Sequence, residues 1–346
     1  MQGKKRKNWL DAAKGISVVF VMMSHSCGFP VASKFFLCGF VSIFFFLSGY
    51  TYTPRSTFGE SMSRKAKTLL IPYFFYGILS ILALMLFTYF QGGDGIEYGK
   101  NESLGLLYSR YSMCRGGGRF FLKGGLEPLW FLTCMFLSFI WVEIYVKTKT
   151  KYKFLLLMTY FLLTYVFTFS PILLPWSIDT SFIGAVLIIL GYESRALIDE
   201  HKESACVKRL TEDILLQFSM IGICVGVLFF LSYFFGEGNF SLGDYGKFGI
   251  LGIILFLLAG VLKAFVIGVT FHIIGETSVF TKIFACIGRE SLRLMCIHYC
   301  VFVLIGATIH HSYQYALVGM ILAMALSLTF EWIGKKARKI HFLKYI

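Results

Sequence analysis

Gly15-Ile16-Ser17-Val18-Val19-Phe20-Val21-Met22-Met23-Ser24-His25-Ser26 is an apolar run with one imidazole in it, entered through the cationic leader Lys4-Lys5-Arg6-Lys7. A helix rises about 1.5 Å per residue, which sets His25 roughly 16 Å above Lys14, near the midplane of a hydrocarbon core about 30 Å thick. A protonatable side chain at that depth is costly. It marks a functional site unless a neighbouring helix merely satisfies it by hydrogen bonding. The run therefore directs the search for function into a membrane.

The composition agrees. The chain has 346 residues, of which 57% are hydrophobic and 15% charged, against about 45–50% and 25% in soluble domains. Apolar runs predict ten spans, at about 9–28, 35–53, 69–90, 128–146, 154–170, 177–193, 213–235, 247–271, 290–309 and 314–333. Pro30 and Pro54 lie just past the first two, where a helix tolerates a stop. Asp11, Lys14 and His25 interrupt the first run, which is read as a retained transmembrane helix and not a cleaved signal. The expected fold is all-α: a polytopic membrane bundle of about ten transmembrane helices, one integral-membrane domain over residues 1–346.

Charge orients the bundle. Of the 33 Lys and Arg residues, 25 fall on the side of the N-terminus and seven on the other, with Lys263 inside a span. That asymmetry predicts an N-in, C-in topology. The net charge of +14 arises from these short connecting segments. No aromatic-interleaved basic face is present, so nucleic acid is not expected as a partner. The nine cysteines lie mostly in apolar runs and form no CxxC. In Cys296-Ile297-His298-Tyr299-Cys300 the two thiols share a helix face while the imidazole points about 200° away, so no metal site is expected. The outer segment 91–127 is Gly-rich and basic, either a functional loop or a plain connector. Asn101-Glu102-Ser103 within it has the form of a glycosylation acceptor.

Lys14 and His25 are eleven residues apart, close to three turns, so they share one helix face, and Asp11 can pair with Lys14. His298 follows Arg289 by nine residues, roughly 13 Å deep and near the level of His25. The two imidazoles are expected to face one cavity.

Six stretches carry a resemblance: Trp9-Leu10-Asp11-Ala12-Ala13-Lys14-Gly15 with His25 after it, Phe44-Phe45-Phe46-Leu47-Ser48-Gly49-Tyr50, and the basic stretch Arg64-Lys65-Ala66-Lys67 before Pro72-Tyr73. The others are Leu129-Trp130-Phe131-Leu132, Leu174-Pro175-Trp176-Ser177-Ile178-Asp179, and Gly288 through Ser291-Leu292 to His298. In this order they resemble the acyltransferase-3 family of integral-membrane acyltransferases, over roughly residues 9 to 300. Two positions depart from it: Lys14 where many relatives have Arg, and Thr68 where a basic residue often precedes the proline.

The resemblance implies transfer of an acyl group, commonly acetyl from acetyl-CoA, to a carbohydrate hydroxyl in a bacterial cell membrane. Expected partners are an acyl-CoA, a carbohydrate or glycolipid acceptor and the lipid bilayer, with oligomerisation left open. An imidazole suits the general base such a reaction needs. His25 is thus the candidate base, or alternatively the acyl carrier, with His298, Asp11 and Ser48 as further catalytic candidates. Lys14, Arg64, Lys65 and Lys67 are placed to hold the donor phosphates. Trp130, Trp176, Asp179 and Arg119 are the candidates to touch substrate. The alternative reading is a proton-coupled transporter using His25, His298 and Lys263.

The orientation is directly testable. Single cysteines introduced at 147–153 should react with a membrane-impermeant thiol reagent only after the cytoplasmic face is opened. Labelling from outside would overturn the topology and the donor side with it.

Overall fold

The structure is a computed structural model describing residues 7–26, 40–111, 113–114, 125, 127–235, 239–245, 248–306 and 313–336. Among them the regular elements are helices: α1 (Asn8–Ser26), α2 (Phe40–Tyr50), α3 (Phe58–Phe90), α4 (Gly95–Tyr108), α5 (Trp130–Lys147), α6 (Thr150–Thr168), α7 (Ile178–His201), α8 (Ala205–Glu212), α9 (Ile214–Phe235), α10 (Ile250–Ile274), α11 (Val279–Arg289), α12 (Ser291–Leu304) and α13 (Tyr313–Lys336). Each predicted span falls on a helix. Among the described residues six stretches are by themselves long and apolar enough to cross a membrane: Phe58–Phe90, Glu127–Lys147, Pro175–His201, Ile214–Phe234, Ile250–Ile274 and Gln314–Lys336. Apolar side chains such as Leu215, Phe218, Ile223, Phe229, Leu317 and Ile321 remain exposed on α9 and α13, as a lipid-facing surface requires.

Three helices depart from the sequence reading. Segment 91–127 contains α4, begun by Asp94, whose side chain accepts from the Ile96 and Glu97 amides. Gly95 and Gly99 let α4 lie against Met85 of α3. The short helices α8 and α11 are amphipathic, so a search for continuous apolar runs passes over them. The basic stretch at 64–67 is also not a loop. Thr57 caps α3 by accepting from the Glu60 amide, a Thr-x-x-Glu signature that starts the helix at Phe58. Arg64, Lys65 and Lys67 therefore sit on its first turns. Pro30 and Arg119 lie outside the described residues.

Two backbone crossings organise the bundle. A Cβ on Gly15 would fall 2.0 Å from the Phe284 carbonyl oxygen, and one on Gly288 would fall 1.7 Å from that of Asp11, so α1 and α11 meet backbone to backbone. The α2–α7 pair repeats the arrangement: Gly49 against the Ile188 carbonyl at 1.8 Å and Gly191 against that of Phe46 at 2.0 Å. Without a hydrophobic force between helices in lipid, close van der Waals approach at small residues is what associates them.

Gly191→Val should therefore destabilise the fold by about 1–3 kcal/mol or more, since neither backbone can yield. Gly222→Ala on α9, where nothing lies within 4 Å of an added Cβ, should leave the melting temperature unchanged. Equal melting temperatures for the two variants, by tryptophan fluorescence in detergent, would refute the role of the crossings.

Candidate functional site

The approach of α1 brings His25, in its last turn, against α12. Its ring centroid lies 5.3 Å from that of His298 and 5.9 Å from that of Tyr299. His25 is half-buried, whereas His298 is 0% exposed and packs edge-on against Phe302 at 5.7 Å. The Nδ1 of His298 is 2.7 Å from the Leu294 carbonyl oxygen. A carbonyl only accepts, so Nδ1 carries the hydrogen and, in the neutral ring, Nε2 keeps its lone pair. That Nε2 is buried with no hydrogen-bond partner among the described residues. Glu127, in the 3-10 turn Glu127–Leu129, is close enough to act electrostatically on His25. On α4, Tyr98 hydrogen-bonds Glu102 and lies near Tyr299, and burial followed by the Glu102 carboxylate pushes its phenol above the ordinary value.

A second cluster forms at the opposite end of α1. Trp9 packs edge-on against Tyr50 at 5.7 Å, so the start of α1 is level with the end of α2. Beside them a polar cavity of about 300 Å³ is lined by Ser48, Tyr52, Arg55, Arg64, Lys65 and Thr68. The Lys65 ammonium rests 3.2 Å from the Phe139 ring centroid and 5.1 Å from that of Tyr52. Lys14 is near enough for its charge to act on Lys65. The Tyr52 hydroxyl is buried without a hydrogen-bond partner among the described residues. Ser48 Oγ contacts Met135 Sδ at 3.7 Å. Lys67 is exposed and does not line the cavity. Asp11 is buried in α1 at the crossing with Gly288.

A family model described as an acyltransferase domain, that of the acyltransferase-3 family, matches residues 7–334. The chain belongs to that family. No curated protein and no solved structure shows significant similarity to it.

Most of the remaining candidates of this acyltransferase-3 chain are engaged in packing. Asp179, expected to touch substrate, forms a buried ion pair with Arg110, both side chains being 2% exposed or less. Arg110 also donates to the Leu174 carbonyl at 3.2 Å and to that of Ser241, so one guanidinium joins three segments. Trp130 is 8% exposed and stacks edge-on against Phe240 at 5.4 Å. Trp176 adopts a left-handed backbone (φ 57°) and donates its indole N–H to the Leu107 carbonyl at 2.9 Å. Holding a bulky residue there costs roughly 1–3 kcal/mol, so the turn is imposed by its surroundings. Lys263 packs over the Phe40 ring at 5.3 Å and, with Ile16 and Phe20, lines a separate apolar cavity of about 190 Å³.

Sequence reasoning missed Arg110, Arg55, Tyr52 and Glu127. Arg110 carries no motif of its own, and its partner is 69 residues away, a spacing without local signature. Glu127 did leave a trace: it is the only acidic residue between Glu102 and Glu143, directly ahead of Pro128-Leu129-Trp130.

Breaking the Arg110–Asp179 pair leaves a charge buried alone. Asp179→Ala and Arg110→Ala should each destabilise the protein by about 3–5 kcal/mol, and the double variant by clearly less than their sum. Additive effects in thermal unfolding would show that the pair is not coupled.

Proposed function

We propose that this protein is a membrane O-acyltransferase that moves an acyl group, acetyl, from a CoA thioester on the cytoplasmic side to a hydroxyl of a sugar or cell-surface glycan. It works as a ten-span bundle in the cell membrane with both termini inside. The single observation that carries the reading is the His25–His298 pair, 5.3 Å apart inside a chain of this family.

The geometry supports the division of labour. Arg55, Arg64 and Lys65 line the polar cavity, and Lys14 is close by. Such a cluster offers charge-assisted hydrogen bonds to the phosphates of a CoA. Lys65, shielded by two aromatic rings, does so at lower desolvation cost than an open lysine. The histidine pair lies deeper, His25 being roughly 16 Å along α1 from Lys14. A donor whose anionic end stays at the cytoplasmic cluster would extend its thioester arm toward the pair. The acceptor hydroxyl then meets the acyl carbon at His25, beside Tyr299 and within the field of Glu127.

His25→Ala should lower transfer from radiolabelled acetyl-CoA by at least about 10²-fold while leaving CoA binding intact. Arg64→Glu with Lys65→Glu should raise the donor KM and remove most of its salt dependence. A His25→Ala rate above a tenth of the wild type, or an unchanged donor KM in the double variant, would contradict the assignment.

A further inference from the structure

We infer that His25 is the acyl carrier and His298 its proton acceptor, so that the reaction runs through an N-acylimidazole on His25; this rests on the acyltransferase reading above. Three observations place the two rings in different roles. His298 is oriented: its Nδ1 hydrogen is held by the Leu294 carbonyl at 2.7 Å, which directs the lone pair to Nε2. That lone pair is sealed, on a residue 0% exposed, and holds no hydrogen bond among the described residues. A base serving a hydroxyl that diffuses in would need an open lone pair. His25, half-buried and adjacent, is the group placed to reach it.

The spacing fits. Two imidazoles joined by one N–H···N bond of about 2.9 Å have ring centroids roughly 5 Å apart, and here they are 5.3 Å apart with planes inclined by 48°. A turn of the His25 ring completes the bond. Nucleophile, base and a third group that orients the base then stand in line as His25, His298 and the Leu294 carbonyl, the arrangement that activates a covalent catalyst.

The chemistry balances without a further reagent. The His25 nitrogen facing away from His298 attacks the thioester carbonyl carbon, and its other nitrogen passes its hydrogen to His298 Nε2. The C–S bond breaks and the CoA thiolate leaves, taking a proton from solvent, so that neutral acyl-His25 stands beside protonated His298. In the second half the acceptor hydroxyl attacks the acyl carbon and the C–N bond breaks. His298 returns its proton to the facing nitrogen of His25, restoring that N–H, and the hydroxyl proton is released to solvent.

The test needs no acceptor. Purified full-length protein in detergent is incubated with acetyl-CoA and isotopically labelled free CoA, and label entering acetyl-CoA is measured. Only a covalent acyl-enzyme permits this exchange. Wild type should exchange and His25→Ala should not. His298→Asn, whose side-chain amide can still donate to Leu294 but lacks Nε2, should exchange at least about 10²-fold more slowly while binding labelled CoA normally. Wild type that binds CoA without exchange overturns the acyl-histidine and leaves the proposed function standing. Wild type that does not bind CoA overturns the proposed function itself. Exchange by His298→Asn within tenfold of wild type shows that His298 is not the base. Should that variant fail to bind CoA, acetyl on the His25 peptide of quenched wild type is the second measurement, and its absence overturns the proposal.

Discussion

Backbone-to-backbone contact at four glycines is the constraint on which the rest depends. Gly15 and Gly288 let α1 lie directly on α11, and Gly49 and Gly191 do the same for α2 on α7. Leucine against leucine gains nothing over leucine against lipid, so small residues and the dispersion contacts they permit must hold such helices in place. The first crossing fixes the height and rotation of α1, and therefore where its last turn presents His25 to α12. The second fixes the end of α2, which carries Ser48 and leads to Tyr52 in the polar cavity.

Two of the buried acidic side chains are given partners. Arg110 and Asp179 neutralise one another and draw the 174–179 turn and the 239–242 segment onto one end of the bundle. Glu290 is treated alike, bonded to Arg293 at 2.6 Å and to Ser327 at 2.7 Å, which ties α12 to α13. The sealed Nε2 of His298 is one of the buried polar atoms left without a partner among the described residues. A hydrogen-bonding atom without a partner costs free energy in a low-dielectric interior. The helix bears that cost at the place where His25 approaches.

The bundle also separates charge from chemistry. The cationic cavity at the start of α3 is polar, whereas the histidine pair packs against Phe302 and Tyr299. A phosphate-bearing donor is best held by the first environment. A reactive acyl intermediate is best protected from water by the second.

The sequence by itself determined that the chain is helical and membrane-embedded, because apolar run length and the one-sided placement of Lys and Arg are local quantities read along the chain. Ordered motifs likewise marked the family and singled out His25, His298, Arg64 and Lys65. Helices α8 and α11 stayed hidden because their apolar residues recur with the helical period and do not run together, and α4 because its stretch is polar and rich in glycine. Only the tertiary structure decided which candidates meet. It joined Asp179 to Arg110, buried Trp130 against Phe240, turned Lys67 away from the cavity and brought Glu127 within electrostatic range of His25. Those outcomes depend on how distant helices rotate against one another, and that rotation is fixed by glycine crossings whose contacts join residues 139 to 277 positions apart.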